Sequence, residues 1–327
     1  GLGALRHSGP DLTGLFIGDC GAFGLKTAIA LRLVAKPAAV EVASFGFAEA
    51  VAMVEAMAAI QRDVRGLRVM GIANRNARAA ASGMNARESI AVFRRSVAAS
   101  GSLIGGAKTA ARLALGAAKQ PVDLLWGLHV TAEGVSADHA RALLAAAVAR
   151  VPADAVPIEP TVPLAMLSRF YTVRGMLGPK GERWAPVHGI FPLSKIGPAT
   201  RSVEAFFARE AARMKEAGIT QSMMFAAQDT NVLVEPMLYW PDSLRAVHRR
   251  TMRKDVVEKF GANPERPATR AVARELRTAL RDLLIDEGAV MGQLGRYYPY
   301  DAMVGDETAA FAAGLKRFID PAGLVNP

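Results

Sequence analysis

Apolar positions along this chain recur with two periods, and the changes between them divide it into elements. Ile29, Leu31 and Leu33 alternate with Ala30 and Arg32, the period of a half-buried strand. A second strand is expected over 39–45. Val51, Val54, Met57 and Ile60 then fall at helical spacing and predict a helix over 47–61, after which 67–72 reads as a strand. The strand-helix-strand order returns with strands at 122–130 and 155–159 around a helix from Ser136, a fitting N-cap, to Arg150. A third unit has a strand at 186–191, a helix at 200–217 stopped by Gly218, and strands at 219–226 and 232–239. Between the first two units, 74–120 contains loop-like stretches, with helices expected at 88–97 and 107–119. The last quarter is helical over 244–260, 266–287 and 307–318, with a strand or loop at 288–294. Such repeated units predict an α+β fold: an antiparallel or mixed sheet with helices on one face, ferredoxin-like in character.

Composition narrows the classes. A chain of 327 residues has room for two domains, and 51% apolar residues exclude general disorder. No apolar run reaches the ~18 residues of a membrane span. The first residues lack the charged-then-apolar plan of a secretory signal, and Gly1 in place of Met suggests a segment cut from something longer. The single cysteine, Cys20, excludes an internal disulfide and a multi-cysteine metal site, which fits a reducing cytoplasm. A net charge of +10 raises nucleic-acid binding as a question. The basic residues, however, lie among acidic ones in helices, and aromatic content is only 6%, so no nucleic-acid partner is expected.

Composition leaves one dense motif unexplained. Leu15, Phe16 and Ile17 are followed by Gly18, Gly21 and Gly24 at every third position. Glycines at that density suit positive φ angles, or a ligand too close for a Cβ. Read alone, the motif is either a structural tight turn or a loop laid against something flat or phosphorylated.

The stretch 9–37 resembles the end of the flavin-binding domain in FAD-linked oxidases of the vanillyl-alcohol oxidase and p-cresol methylhydroxylase type. It is most similar to their D-lactate dehydrogenase and glycolate oxidase branch. Asp11-Leu12-Thr13-Gly14-Leu15-Phe16, Gly18, Gly21 and Gly24 carry the resemblance. Asp19, Cys20 and Ala22 depart from it, standing where the family has Ser, Glu and Thr. The closing Asp320-Pro321-Ala322-Gly323-Leu324-Val325-Asn326-Pro327 matches the family's Asp-Pro-x-Gly-x-x-Asn-Pro ending. A third match is Gln293, Gly295, Arg296, Tyr298, Pro299 and Tyr300, although Met291 occupies a position where relatives carry His.

The resemblance implies three parts: the end of an FAD-binding domain at 1–37, a substrate or cap domain at 38–287, and a tail at 288–327 returning to the flavin domain. It implies FAD as cofactor, contacted by Gly18, Asp19, Cys20, Gly21, Gly24, Gln293 and Asn326. The reaction would be hydride transfer from a small-molecule 2-hydroxy acid, such as D-lactate or glycolate, to the flavin. The electron acceptor would be oxygen, a quinone or a cytochrome, and a homodimer is the expected assembly. A 4-alkylphenol substrate, or a non-catalytic cap module, are the alternatives, because the family's N-terminal pyrophosphate-gripping loop has no counterpart here.

Three clusters carry candidate chemistry. In 288–300, Arg296 could clamp a carboxylate in bidentate fashion with Tyr298 and Tyr300 as directional donors, or the stretch could be a buried aromatic strand end. His188, between a strand start and Gly189, is a candidate base or a structural histidine. In 231–242, Asn231, Leu233 and Glu235 share one strand face while Val232, Val234 and Pro236 share the other. A buried Glu235 needs a partner, either Arg296 or another basic group, as part of a pocket wall or a structural ion pair. Catalysis is therefore assigned to Arg296, Tyr298 and His188, and substrate binding to Glu235, Tyr300 and Asn231. The five histidines show no ligand spacing, so no metal is expected. Cys20 reads as a small residue filling a tight loop rather than as a nucleophile.

Overall fold

The computed structural model describes residues 10–31, 33–73, 111, 124–168, 177–178, 181–252, 254–291 and 297–326. Eight strands of the described residues form one sheet: β1 (Ala39–Phe47), β2 (Leu67–Ala73), β3 (Trp126–Gly134), β4 (Val156–Pro157), β5 (Arg183–Pro186), β6 (Gly189–Pro192), β7 (Thr220–Gln228) and β8 (Asn231–Trp240). Their order is β4-β1-β3-β2-β7-β8-β5, with β6 also on β8, and every pairing is antiparallel.

Register explains where the core lies. Phe45 pairs with Leu128, Leu128 with Gly71, Gly71 with Phe225, Phe225 with Val234, and Val234 with Gly189. Directly opposed residues share a face, so this line runs across the sheet on one side. Helices α1 (Ala50–Asp63), α2 (Ala137–Val148), α4 (Ile196–Arg209) and α8 (Pro267–Asp286) pack on the sheet. Met53, Met57 and Ile60 of α1 and Leu276, Leu280 and Leu284 of α8 are fully buried with Leu128, Phe191 and Phe225. Each such side chain contributes about 1.5–3 kcal/mol. Gly71 lies under α1, where an added Cβ would come within 2.5 Å of the Met53 methyl.

The opposite face carries a second line: Ser44, His129, Met70, Ala226, Leu233 and Ile190. Beside it run Ile72, Met224 and Glu235. The alternation along 231–236 therefore holds, with Val232 and Val234 buried under the helices.

Most expected elements form, with several differences, among them the strand expected over 186–191, which divides into β5 and β6 at Val187 and His188. The expected strand around Ile29, Leu31 and Leu33 joins no sheet among the described residues, and these three residues are 72%, 79% and 89% exposed. Alternation supplies a face, but a strand also needs a neighbouring backbone to bond. The strand expected over 122–130 lies at Trp126–Gly134, and the one over 155–159 pairs only at Val156–Pro157. The helix expected over 200–217 begins at Ile196, because Pro198 in the first turn costs no helical hydrogen bond. It breaks at Glu210 before α5 (Ala211–Glu216). The helix expected over 244–260 divides into α6 (Ala246–Thr251) and α7 (Lys254–Phe260), since Met252 is extended at φ −90, ψ 156. Shorter helices complete the described chain: α3 (Thr161–Ser168), α9 (Tyr300–Met303) and α10 (Asp306–Ile319). The helices expected at 88–97 and 107–119 lie outside the described residues, Ala111 apart.

Ser136 caps α2 as expected, its hydroxyl accepting from His139 N at 3.2 Å. The turn into this cap is tight. A Cβ on Gly134 would lie 2.5 Å from Ala140 N and 2.6 Å from Ser136 O, backbone atoms that cannot swing aside. Gly134→Ala is expected to destabilise by about 1–3 kcal/mol. The check is a lower urea midpoint at unchanged m-value.

Candidate active site

The site begins with a proline in the middle of a sheet. Pro236 sits in β8 between β7 and the β5/β6 edge, and its carbonyl accepts from Val187 N at 2.9 Å. In an antiparallel strand the N–H of a residue points to the same side as its C=O, so Pro236 offers no donor toward that edge. Here β5 and β6 separate, at Val187 and His188. The register continues across the gap, from Pro186↔Met237 to Gly189↔Val234, so His188 stands opposite Glu235.

Gly189 opens the next step. A Cβ there would stand 2.6 Å from Ala289 Cβ, so only glycine lets the 288–291 segment pass this close. That segment is fixed to β6 by Ile190 N to Val290 O at 2.7 Å and Val290 N to Ile190 O at 3.0 Å. The chain after it delivers Tyr298 to His188. The Tyr298 hydroxyl accepts from His188 N at 3.4 Å, and the two rings lie 5.7 Å apart.

Three residues named from the sequence thus come together: His188, Glu235 and Tyr298. His188 Nδ1 lies 3.4 Å from Glu235 Oε2, with both side chains about nine-tenths buried. Among the described residues neither ring nitrogen of His188 has a hydrogen-bond partner, although both are buried. Burial pushes the Tyr298 phenol above its ordinary range. The His188 N–H and the Arg277 guanidinium oppose that shift, and Glu235 adds to it. At neutral pH Tyr298 is a neutral donor, not a phenolate.

Other histidines illustrate the contrast. His129 Nδ1 is 2.8 Å from Ser44 Oγ, and burial holds this ring down to about 3, so it stays neutral. His139 Nδ1 accepts from Val135 N at 3.3 Å, and His248 Nδ1 from Arg245 N at 3.1 Å. These rings hold local structure.

The remaining predicted residues stand elsewhere. Asn231 is at the β7–β8 hairpin, bonded to Thr230 Oγ1, four residues and therefore about 13 Å along the strand from Glu235. Strand rise separates the two although they share a face. Tyr300 opens α9. Arg296 and Gln293 lie outside the described residues, so the partner met by Glu235 among the described residues is His188. Asn326 is exposed at φ 47 in a tail held by Asp320, which accepts from Leu324 N and Val325 N at 2.9 Å.

The glycine loop has the expected backbone, with φ of 78 at Gly18, 84 at Gly21 and 149 at Gly24. A Cβ on any of the three would meet nothing within 4 Å, so φ rather than crowding requires glycine. Exposed Cys20 is itself at φ 50. Asp19 turns the loop inward, accepting from Phe23 N at 3.0 Å and Gly21 N at 3.3 Å and pairing with Lys26. Burial would raise this carboxyl, but Lys26 and the two N–H groups outweigh it and hold it below its usual range. The loop thus spends those amides on itself rather than on a phosphate.

The orphaned nitrogens of buried His188, beside a phenol donor and a carboxylate, fit the reacting end of a substrate laid against a flavin. Sequence reasoning missed Arg277, which stacks on Tyr297; the only signal was a basic residue beside the apolar stripe of α8. Among the described residues no three His, Cys, Asp or Glu side chains gather as a metal site, and no helix is long and apolar enough to cross a membrane.

No protein-family model and no curated protein matches the sequence. Solved structures do match its fold. An alkyldihydroxyacetonephosphate synthase superposes with a TM-score of 0.53 at 13% identity, over 99% of this chain and 50% of that one. A 4-ethylphenol oxidase from Gulosibacter chungangensis, in complex with isoeugenol, gives 0.51 at 10% identity, over 91% and 54%. A p-cresol methylhydroxylase with substrate bound gives 0.51 at 12% identity, over 89% and 52%. This chain spans about half the length of each, and over that half it shares their fold.

Proposed function

We propose that this chain is the substrate-facing portion of an FAD-dependent oxidoreductase, acting on a C–H bond activated by a hydroxyl. The observation that carries the reading is His188, buried beside Glu235 and Tyr298 with neither ring nitrogen hydrogen-bonded among the described residues. When bound, FAD supplies the hydride acceptor. The chain's own residues manage the proton. His188, backed by the Glu235 carboxylate, accepts the hydrogen of the substrate hydroxyl, and Tyr298 donates a hydrogen bond to the substrate oxygen. The open sides of Gly18, Gly21 and Gly24 would lie against the flavin.

Two substrate classes follow from the resemblance, a 2-hydroxy acid and a 4-alkylphenol. The buried carboxylate of Glu235 favours the second, since a substrate carboxylate beside it would be a second buried negative charge. A 2-hydroxy acid would depend on Arg296 to offset that repulsion.

The test is a visible spectrum of the chain after incubation with FAD and desalting, followed by anaerobic addition of 4-ethylphenol, D-lactate or glycolate. A retained flavin band bleached by 4-ethylphenol is the expected outcome. Bleaching only by the hydroxy acids would reverse the substrate choice. A colourless protein that melts cooperatively would leave the chain a cap module without its own redox activity.

A further inference from the structure

The contact between Tyr298 and His188 tolerates little displacement. The His188 N–H donates to the Tyr298 oxygen at 3.4 Å, the long end of a hydrogen bond, so a small outward shift would break it. The bonds that hold the chain at this point are made by the preceding residue, Tyr297. Its hydroxyl donates to Arg277 O at 2.8 Å, and its carbonyl accepts from Arg281 Nη1 at 2.8 Å. The guanidinium carbons of Arg277 and Arg281 stand 3.8 and 5.1 Å from the centroid of its ring. Both arginines belong to α8, four residues apart and so on one face of that helix. The same helix is seated in the core by the buried Leu276, Leu280 and Leu284, which makes it a firm support. The Tyr297 ring in turn meets the buried Tyr298 ring edge-on at 4.9 Å.

The Tyr297 carbonyl belongs to the peptide unit that leads into Tyr298. That unit is planar, so a bond that holds the carbonyl oxygen also orients the Tyr298 nitrogen and Cα. We propose that Tyr297 is a positioning residue of the site: pinned to α8 through ring, hydroxyl and carbonyl, it sets where the Tyr298 hydroxyl stands against the His188 N–H. Arg281 acts through it, as the donor to its carbonyl. That the hydroxyl so placed meets a substrate oxygen rests on the proposed oxidase reading; the anchoring does not.

The experiment is amide hydrogen exchange, followed by NMR on the full chain without flavin. Tyr298→Phe removes the acceptor and sets the rate that the His188 amide reaches without its bond. Tyr297→Phe keeps the ring and loses the bond to Arg277 O, while Arg281→Met loses the donor to the Tyr297 carbonyl. Each is expected to speed exchange at His188 by about 3–10-fold, toward the Tyr298→Phe rate. Val187, bonded to Pro236 O at 2.9 Å, and Ile190, bonded to Val290 O at 2.7 Å, should keep the parent rates. A His188 amide unmoved in either variant would overturn the proposal. So would Val187 and Ile190 accelerating with it, since that is general loosening, or no change in Tyr298→Phe. Because no cofactor is needed, a failure here is separate from a failure of 4-ethylphenol to bleach the flavin.

Discussion

Asp242→Ala is expected to destabilise the chain by about 3–5 kcal/mol, the usual cost of stripping one partner from a buried ion pair. The Asp242 side chain is wholly buried, while its partner Arg270 is one-fifth exposed. Arg270 bonds it in bidentate fashion, Nε to Oδ2 at 2.7 Å and Nη2 to Oδ1 at 2.9 Å. Ser243 N at 2.8 Å, Arg266 N at 3.0 Å and Trp240 Nε1 at 3.4 Å complete the set. One carboxylate thus joins the end of β8, the following loop and the first turn of α8, where Arg266 caps the helix without a side-chain bond of its own. Negative charge at a helix N-terminus is favourable in itself. Alanine would leave the Arg270 fork and three donors without their acceptor.

The same residue predicts a pH dependence. Burial alone would raise the Asp242 carboxyl, but Arg270 and the three N–H donors hold it far below the ordinary range. A carboxyl depressed in the folded state contributes stability that is fully present above its unfolded value, about 3.9. That contribution fades as pH falls through the folded value. The gap between parent and Asp242→Asn should therefore be widest near neutrality and narrow below about pH 4. Urea midpoints across that range provide the measurement. A gap that stays constant into acid would show that shape rather than charge sets the cost.

Neither this clasp nor the reacting cluster could be read whole from the sequence, and the reasons differ. Period-two alternation marked β8 and put Glu235 on the face away from Val232 and Val234, because that property is local. It could not say that His188 lies across from Glu235. That depends on the register of β5 and β6 on β8, which the sequence shows only through Pro236. Asn231 and Glu235 share a face, as the alternation says, yet four residues of strand separate them. Arg277 and Asp242 escaped notice because their partners lie on other elements: Arg277 meets Tyr297 across 20 residues, and Asp242 meets Arg270 across 28. In the glycine loop the sequence announced positive φ at Gly18 and Gly21. The destination of the loop's amides, the Asp19 carboxylate, appears only in three dimensions. Ile29 and Leu33 mark the opposite error, a pattern without the neighbouring strand it needs.

His188→Asn and Glu235→Gln, each made in protein that retains flavin, are expected to slow substrate-driven bleaching by about 10²–10⁴-fold. On the proposed reading, His188 takes the substrate proton and Glu235 is the carboxylate that steadies the charge it gains. Glutamine keeps the shape of Glu235 and removes that charge. If the pair acts as one unit, the double variant should be scarcely slower than His188→Asn alone, since a second loss cannot remove what the first has already removed. The two residues then share one free-energy term, and the measured coupling should be close to the full effect of Glu235→Gln. Multiplicative losses would show instead that Glu235 binds the substrate independently of His188. The effect should fall on the rate of bleaching at saturation rather than on the concentration that half-saturates it, because proton acceptance strengthens as the C–H bond breaks. A change confined to half-saturation would assign both residues to binding and leave the proton to another group.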